Sequence, residues 1–169
     1  MNVFRNASAD SAAGGRKWKT ETIERRRGEN GDKMGQKKRI LVVDDERDIV
    51  KALTIRLQGA GYEVVSAFDG AQGIFMAHKE KPDLIILDIR MPAGDGFSVA
   101  EKLKESMDTF AIPLIFLTGS PEKNSEEKAT ALGARFYIKK PYDPEELLDA
   151  IERALEKDLD SSHGPGNHG

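Results

Sequence analysis

The sequence predicts an α/β fold in which a five-stranded parallel sheet is doubly wound, with helices on both faces. Short apolar runs alternate with longer amphipathic stretches through the middle of the 169-residue chain, which is the pattern of repeated strand and helix units. The starts of successive apolar runs lie 23, 21, 29 and 23 residues apart, the length that a strand, a helix and two loops require. This spacing predicts five βα units.

The five apolar runs are the predicted strands. The third run contains Leu84, Ile85, Ile86 and Leu87 in succession, so it is apolar on both faces and is expected at the centre of the sheet. The predicted strands cover residues 39–43, 62–66, 83–87, 112–117 and 135–139.

The stretches between the strands carry apolar residues four positions apart, the spacing of a helix that covers a sheet. Residues typical of helix ends stand where this pattern stops. Gly59 and Gly61 follow the first helix, Gly133 follows the fourth, and Pro144 suits the opening turn of the fifth. The predicted core-facing residues of the first and last helices are Ile49, Leu53, Leu57, Leu147, Ile151 and Leu155.

The two ends of the chain differ from its middle. Residues 1–37 are rich in Ser, Gly, Asn and charge without apolar periodicity, which predicts a disordered, basic N-terminal extension. Such an extension suits an electrostatic tether to nucleic acid or anionic lipid. The other interpretation is that the protein starts at Met34 and that residues 1–33 lie upstream of it. Residues 159–169 are predicted to be a disordered tail, which leaves one domain at residues 38–158.

Composition restricts the classes of function. The chain has no cysteine, which excludes disulfides, thiolate metal sites and cysteine nucleophiles. No apolar run is long enough to span a membrane and no secretory signal is present, so we expect a cytoplasmic protein with no membrane partner. Asp and Glu outnumber Lys and Arg by 24 to 15 in residues 40–169, whereas the balance is 5 to 11 in residues 1–39. Because an acidic domain does not suit nucleic-acid phosphates, no direct DNA binding is expected.

Polar side chains stand at the carboxyl ends of four predicted strands. Asp44 and Asp45 follow the first strand, Asp88 the third, Thr118 the fourth and Lys140 the fifth. In an open α/β sheet this edge is where ligands bind. Singly, these residues are ordinary helix caps and surface charges, but three gathered carboxylates need a cation among them. Oxygen ligands without His or Cys suit magnesium, so the sequence predicts a magnesium-dependent phosphoryl-transfer site.

Five motifs, in order along the chain, resemble those of the CheY-like receiver family of two-component signalling over residues 38–158. Together they are more specific than any single short motif. The resemblance implies a flavodoxin-like sheet of strand order 2-1-3-4-5 and a stand-alone response-regulator receiver, which is a signalling phosphoacceptor rather than an enzyme. The motifs are VVDDE at 42–46, LDIRMP at 87–92, DG at 95–96, LTG at 117–119, and GA at 133–134 leading to YIKKP at 137–141.

The resemblance also implies roles for the acidic residues. Asp88 would accept a phosphoryl group from a sensor histidine kinase or a histidine phosphotransfer protein. Asp45, Asp88 and the backbone carbonyl of Arg90 would hold magnesium, and Asp44 would support it from the adjacent position.

The remaining motif residues are implied in the phosphorylated state. Lys140 would pair with one phosphoryl oxygen and Thr118 would donate a hydrogen bond to another. Thr118 would then move inward and Tyr137 would turn into the vacated space, although an ordinary half-buried strand aromatic is the other interpretation of Tyr137. A separate, unidentified effector protein would dock on residues 122–157, and the receiver would be a monomer or weak dimer. The family pattern further implies a cis peptide between Lys140 and Pro141.

Arg90 stands two residues after Asp88. The resemblance implies that this position varies among relatives and flanks the path of hydrolytic water. One interpretation is that its long cationic side chain hinders in-line water and prolongs the phosphorylated state. The other is that it points into solvent.

Three other functions are conceivable for such a site. A haloacid-dehalogenase-type phosphatase needs a second aspartate two positions after the first, where this chain has Arg90. A nucleotide-binding domain needs a glycine-rich loop after a strand, and neither G-x-x-x-x-G-K-[ST] nor G-x-G-x-x-G follows one. A degenerate receiver that binds partners without phosphorylation is disfavoured by the complete set of Asp45, Asp88, Thr118 and Lys140.

Overall fold

The computed structural model describes residues 36–156. The predictions of a disordered extension, of a start at Met34 and of a disordered tail therefore lie outside the described residues. Strands and helices alternate along the described part of the chain. They are β1 (Arg39–Val43), α1 (Arg47–Gly59), β2 (Glu63–Ala67), α2 (Gly70–Glu80), β3 (Leu84–Asp88), α3 (Gly96–Glu105), β4 (Leu114–Thr118), α4 (Ser125–Ala131), β5 (Phe136–Lys139) and α5 (Pro144–Leu155).

The five strands form one parallel sheet in the order β2-β1-β3-β4-β5, which confirms the predicted fold. All five residues of β3 are buried, as expected for the central strand. The strand order reverses between β1 and β3, and such a switch point opens a crevice beyond the carboxyl ends of the two strands. Val43 pairs with Leu87 in this register, so the residues that follow them reach the crevice side by side.

Successive residues of each strand face two separate cores because side chains alternate across a sheet. Leu41 and Val43 of β1 belong to a core that includes buried residues of α2, α3 and α4. Ile40 and Val42 belong to the other core, which is closed by α1 and α5. None of the helices in the described range is long and apolar enough to cross a membrane.

The predicted helix faces are correct with small rotations. Leu53 and Leu57 of α1 are buried together with Val50, whereas Ile49 is only partly buried. In α5 the buried stripe runs through Leu147, Ala150, Ile151 and Ala154. Leu155 lies at the margin of this stripe and is only partly buried. The centre of the buried face is shifted toward the two alanines, at positions 150 and 154.

Four of the five strands begin later than predicted, and two of these shifts have identifiable reasons. Asp83 lies just before β3, and its carboxylate accepts a hydrogen bond from the backbone N–H of Arg39 at 2.7 Å. β4 begins at Leu114, directly after Pro113, which has no N–H to donate to a strand ladder. β2 and β5 each begin one residue later than expected, and β1 has the predicted bounds.

Local residues explain where the helices begin and end. Gly61 and Gly133 have positive φ angles of 93° and 76°, which favour glycine after a helix. Gly59, predicted to follow α1, is instead its last residue, and Pro144 is the first residue of α5 as predicted. The carboxylates that cap helices by accepting backbone N–H bonds belong to Asp69, Asp95 and Asp143.

Candidate functional site

Three carboxylates meet at the crevice between β1 and β3. Asp44 and Asp45 follow β1, and Asp88 is the last residue of β3. Each contributes a carboxylate oxygen that lies within 4.8 Å of the other two. Asp44 and Asp88 are only 2% and 4% exposed, and Asp45 is half-buried. The sheet thus brings together acids that are more than 40 residues apart in the sequence.

The ammonium of Lys140 lies beside this cluster. Its Nζ is 2.8 Å from Asp44 Oδ2 and 3.5 Å from Asp88 Oδ1. The backbone N–H of Lys140 donates to the carbonyl of Thr118 at 2.7 Å, which holds Lys140 beside the end of β4. The Lys140–Pro141 peptide is cis, as predicted. Burial alone would lower the pKa of Lys140, but the hydrogen bond and charge of Asp44, with the charge of Asp88, raise it. Lys140 is therefore a fixed positive charge at neutral pH.

The negative charge of ionised Asp88 is only partly balanced by the groups around it. Burial, followed by the negative charge of Asp44, raises the pKa of Asp88 to about 6. The charge and hydrogen bond of Lys140 and the backbone N–H of Arg90 oppose this rise only in part. The site therefore carries more negative charge than one ammonium can balance, which favours binding of a further cation.

The donor set of this cluster suits a hard divalent cation. Magnesium prefers oxygen ligands, takes one or two carboxylates from the protein and keeps several waters. Asp45 and Asp88 each contribute a carboxylate oxygen to the cluster, whereas both oxygens of Asp44 already accept hydrogen bonds. Asp44 Oδ1 accepts from the N–H of Glu46 at 2.9 Å and Oδ2 accepts from Lys140. The residues present thus fit a magnesium ion held mainly by Asp45 and Asp88.

Thr118 ends β4 beside the acidic cluster. Asp88 pairs with Leu117 in the sheet, which places Thr118 one residue further toward the carboxyl edge. Its side chain is fully buried, and its Oγ1 accepts a hydrogen bond from the N–H of Ser120 at 3.3 Å. Thr118 is therefore a buried hydroxyl at the same rim as Asp88 and Lys140.

A close backbone contact shapes the loop after Asp88. The N–H of Gly96 donates to the carbonyl of Ile89 at 2.8 Å. A Cβ atom at Gly96 would overlap the carbonyl oxygen of Asp88 and lie 2.9 Å from Ile89 Cα. The absence of a side chain at Gly96 thus allows the loop to fold back against the end of β3.

Arg90 reaches across the crevice to a second loop. Its guanidinium lies 2.6 Å from the carboxylate of Glu122, with side chains 58% and 70% exposed. Both residues line a cleft of about 640 Å³ together with Asp45 and Phe97. Arg90 is therefore exposed but is paired with a partner rather than extended freely into solvent.

Tyr137 is half-buried in β5 and packs partly against the core that contains Phe116. Its hydroxyl lies 2.5 Å from Ser125 Oγ at the start of α4. Because Ser125 donates its own proton to the carbonyl of Glu122 at 2.8 Å, the tyrosine hydroxyl is the donor of this pair. The orientation of Tyr137 is thus tied to the loop that carries Glu122.

The sequence pattern of the response regulator receiver domain matches residues 40–152 of this chain. The chain belongs to this family. Receivers are signalling phosphoacceptors rather than classical enzymes, which decides against the phosphatase and the nucleotide-binding domain that were considered as alternatives.

Curated relatives support the same assignment. PilH of Pseudomonas aeruginosa is 38% identical over 117 residues, which cover 69% of this receiver and 97% of PilH. The alkaline phosphatase synthesis transcriptional regulatory protein PhoP of Bacillus subtilis is 38% identical over 120 residues, 71% of this chain but 49% of PhoP. The probable transcriptional regulator ycf27 of Guillardia theta is 39% identical over 130 residues, 50% of that protein. The chain thus spans about half the length of the transcriptional regulators it matches.

Solved receiver structures share the fold. The chemotaxis protein CheY4 of Vibrio cholerae superimposes with a TM-score of 0.67 at 32% identity, covering 70% of this chain and 99% of CheY4. A CheY-like receiver domain protein of Methanospirillum hungatei gives a TM-score of 0.67 at 31% identity, covering 71% and 94% of the two chains.

Three residues of this receiver's site were not identified from the sequence. Glu122 and Ser125 lie in a loop and at a helix start, and neither carries a spacing signal that would indicate a partner. Gly96 stands in the DG motif at 95–96, but its contact with the backbone of Asp88 depends on how the loop folds. Polar residues at strand ends could be found from the pattern, whereas contacts between loops could not.

Proposed function

We propose that this receiver accepts a phosphoryl group on Asp88 from a histidine kinase or a histidine phosphotransfer protein, with magnesium, and signals to a separate partner. The observation that carries the proposal is the arrangement of a buried aspartate, two further carboxylates and one ammonium at a single crevice. Such a site suits phosphoryl transfer, in which positioning and charge neutralisation supply most of the catalysis.

In the proposed reaction a carboxylate oxygen of Asp88 attacks the phosphorus of a phosphohistidine. The new P–O bond forms as the P–N bond breaks, and the imidazole leaves with the electron pair of that bond and takes up a proton. Lys140 Nζ lies 3.5 Å from Asp88 Oδ1 and would neutralise the charge of one phosphoryl oxygen. The buried hydroxyl of Thr118 would donate a hydrogen bond to a second phosphoryl oxygen.

When bound, magnesium would supply positive charge that offsets the negative charge of the phosphoryl oxygens. Asp45, Asp88 and the backbone carbonyl of Arg90 are the proposed ligands. Asp44 suits a supporting role because its two oxygens already accept hydrogen bonds from Glu46 and Lys140.

The proposed output is a change at the surface formed by residues 122–157. Phosphorylation would draw Thr118 toward the new phosphoryl group and allow Tyr137 to turn inward. The excess of acidic residues in the domain favours a protein rather than DNA as the direct partner. We further propose that the receiver acts as a monomer or weak dimer.

The test is incubation with acetyl phosphate and magnesium, followed by intact-mass measurement. The wild type should gain about 80 Da, the mass of one phosphoryl group, and Asp88→Asn should gain none. Asp149→Asn makes the same chemical change at an exposed position on α5 and should behave as wild type. A wild type that gains no mass would favour the degenerate receiver instead.

A further inference from the structure

The contact between Arg90 and Glu122 joins the two loops that flank the proposed phosphoacceptor. Arg90 lies two residues after Asp88, and Glu122 lies four residues after Thr118. Their 2.6 Å ion pair therefore spans the mouth of the crevice from the β3–α3 loop to the β4–α4 loop.

This ion pair is weak enough to be exchanged. Both side chains are mostly exposed, and exposed ion pairs contribute little because water and salt screen them. Phosphorylation would replace the singly charged carboxylate of Asp88 with a phosphoryl group that carries up to two negative charges. This group would lie two residues before Arg90, whose backbone N–H is close enough to the Asp88 carboxylate to lower its pKa. One guanidinium cannot pair fully with both anions, and the doubly charged one is the stronger competitor.

The Glu122 loop is also connected to Tyr137. Ser125 Oγ donates to the carbonyl of Glu122 and accepts from the tyrosine hydroxyl. A change at Glu122 therefore has a short path, through two hydrogen bonds, to the aromatic ring proposed as the switch.

We propose that Glu122 is a positioning residue that holds the Arg90 guanidinium away from Asp88, and that phosphorylation transfers this guanidinium from Glu122 to the phosphoryl oxygens. The proposal rests on the proposed function of Asp88. It assigns to this receiver an exchange of ion-pair partners that acts alongside the movement of Thr118, and it makes Glu122 a determinant of the lifetime of the phosphorylated state.

The first experiment is a double-mutant cycle on the lifetime of the acyl phosphate. Glu122→Gln frees the guanidinium for the phosphoryl group and should slow dephosphorylation by about two- to fivefold, the range expected from an exposed ion pair. In an Arg90→Met background, Glu122→Gln should leave the lifetime of the acyl phosphate unchanged. Glu127→Gln, an exposed acid in the first turn of α4, is the matched control and should leave the lifetime unchanged.

A second experiment follows the guanidinium directly. The Arg90 Nε–H resonance of the unphosphorylated protein should shift when beryllofluoride and magnesium are added as a phosphoryl analogue. In Glu122→Gln the Arg90 Nε–H resonance should differ from that of wild type before beryllofluoride is added and should coincide with it afterwards.

The outcomes separate this inference from the proposed function. If the wild type is phosphorylated but Glu122→Gln has a wild-type or shorter lifetime, or still slows dephosphorylation without Arg90, the exchange is wrong and the phosphoacceptor role stands. An Arg90 resonance that beryllofluoride does not move would also overturn the exchange. If the wild type gains no phosphoryl group at all, the proposed function itself fails.

Discussion

At the scale of single residues, the ionisation of Asp88 links the site to the stability of the protein. Its pKa is raised to about 6 from 3.8, so the folded state holds this proton more tightly than the unfolded state. The free energy of unfolding without magnesium should therefore fall as pH rises through this window, by about 1–3 kcal/mol from this residue. Below a pH of about 4, Asp88 is protonated in both the folded and the unfolded state, so this loss of stability is absent.

Asp88→Asn isolates this contribution. The variant should unfold at higher urea concentration than wild type at pH 7, and the difference should shrink at pH 4.5. Asp149→Asn makes the same chemical change at an exposed position and is the matched control. Equal stability of Asp88→Asn and wild type at both pH values would contradict the raised pKa.

Arg90 is the second residue with a measurable effect. We expect its side chain to hinder hydrolytic water once it contacts the phosphoryl group, so Arg90→Asn should shorten the lifetime of the acyl phosphate about two- to tenfold. The measurement is the rate at which the phosphorylated mass disappears after acetyl phosphate is removed. A lifetime that does not decrease in Arg90→Asn would contradict this role of Arg90.

At the scale of the elements, the start of α4 is fastened to β5 by the hydrogen bond between Ser125 and Tyr137. Tyr137→Phe should lower the free energy of unfolding by about 0.5–1.5 kcal/mol. Ser125→Ala should lower it further, because it also removes the hydrogen bond from Ser125 Oγ to the carbonyl of Glu122. Because both remove the same bond, the double variant should lose less than the two single losses added together. Urea unfolding of the four proteins measures this coupling, and strict additivity would show that the bond is absent in solution.

The loop between β3 and α3 depends on Gly96 in a different way. Gly96→Ala places a methyl group against the backbone of Asp88, so it should lower the free energy of unfolding by about 1–3 kcal/mol and slow phosphorylation. Gly59→Ala is the matched control, since nothing lies within 4 Å of a Cβ there and alanine is the better helix former. Loss of stability in Gly59→Ala but not in Gly96→Ala would contradict this account of the loop.

At the scale of the whole molecule, magnesium should stabilise the folded chain through the acidic cluster. At a concentration ten times its dissociation constant it should raise the free energy of unfolding by about 1.4 kcal/mol. Most of this gain should disappear in Asp45→Asn, with ionic strength held constant by sodium chloride. An equal gain in Asp45→Asn and wild type would place the ion elsewhere.

Periodicity and strand spacing were sufficient to predict the sheet, its helical layers and the edge at which the polar residues gather. The run from Leu84 to Leu87 indicates a central strand, because a strand covered by helices on both faces of the sheet needs apolar side chains on both. The pairing of Arg90 with Glu122 and of Tyr137 with Ser125 was not predictable, because each depends on how two loops approach each other in space. The exact strand starts were also not predictable, because they depend on local features such as the hydrogen bond from Arg39 to the Asp83 carboxylate and the missing N–H of Pro113.

The central claim is that Asp88 is the residue that carries the phosphoryl group. Borohydride reduces an acyl phosphate of aspartate to homoserine, and peptide mapping by mass spectrometry identifies the position. After treatment with acetyl phosphate and magnesium, homoserine should be found at position 88 and should be absent when magnesium is replaced by a chelator. Homoserine at position 44, 45 or 95 with unmodified Asp88 would contradict the account.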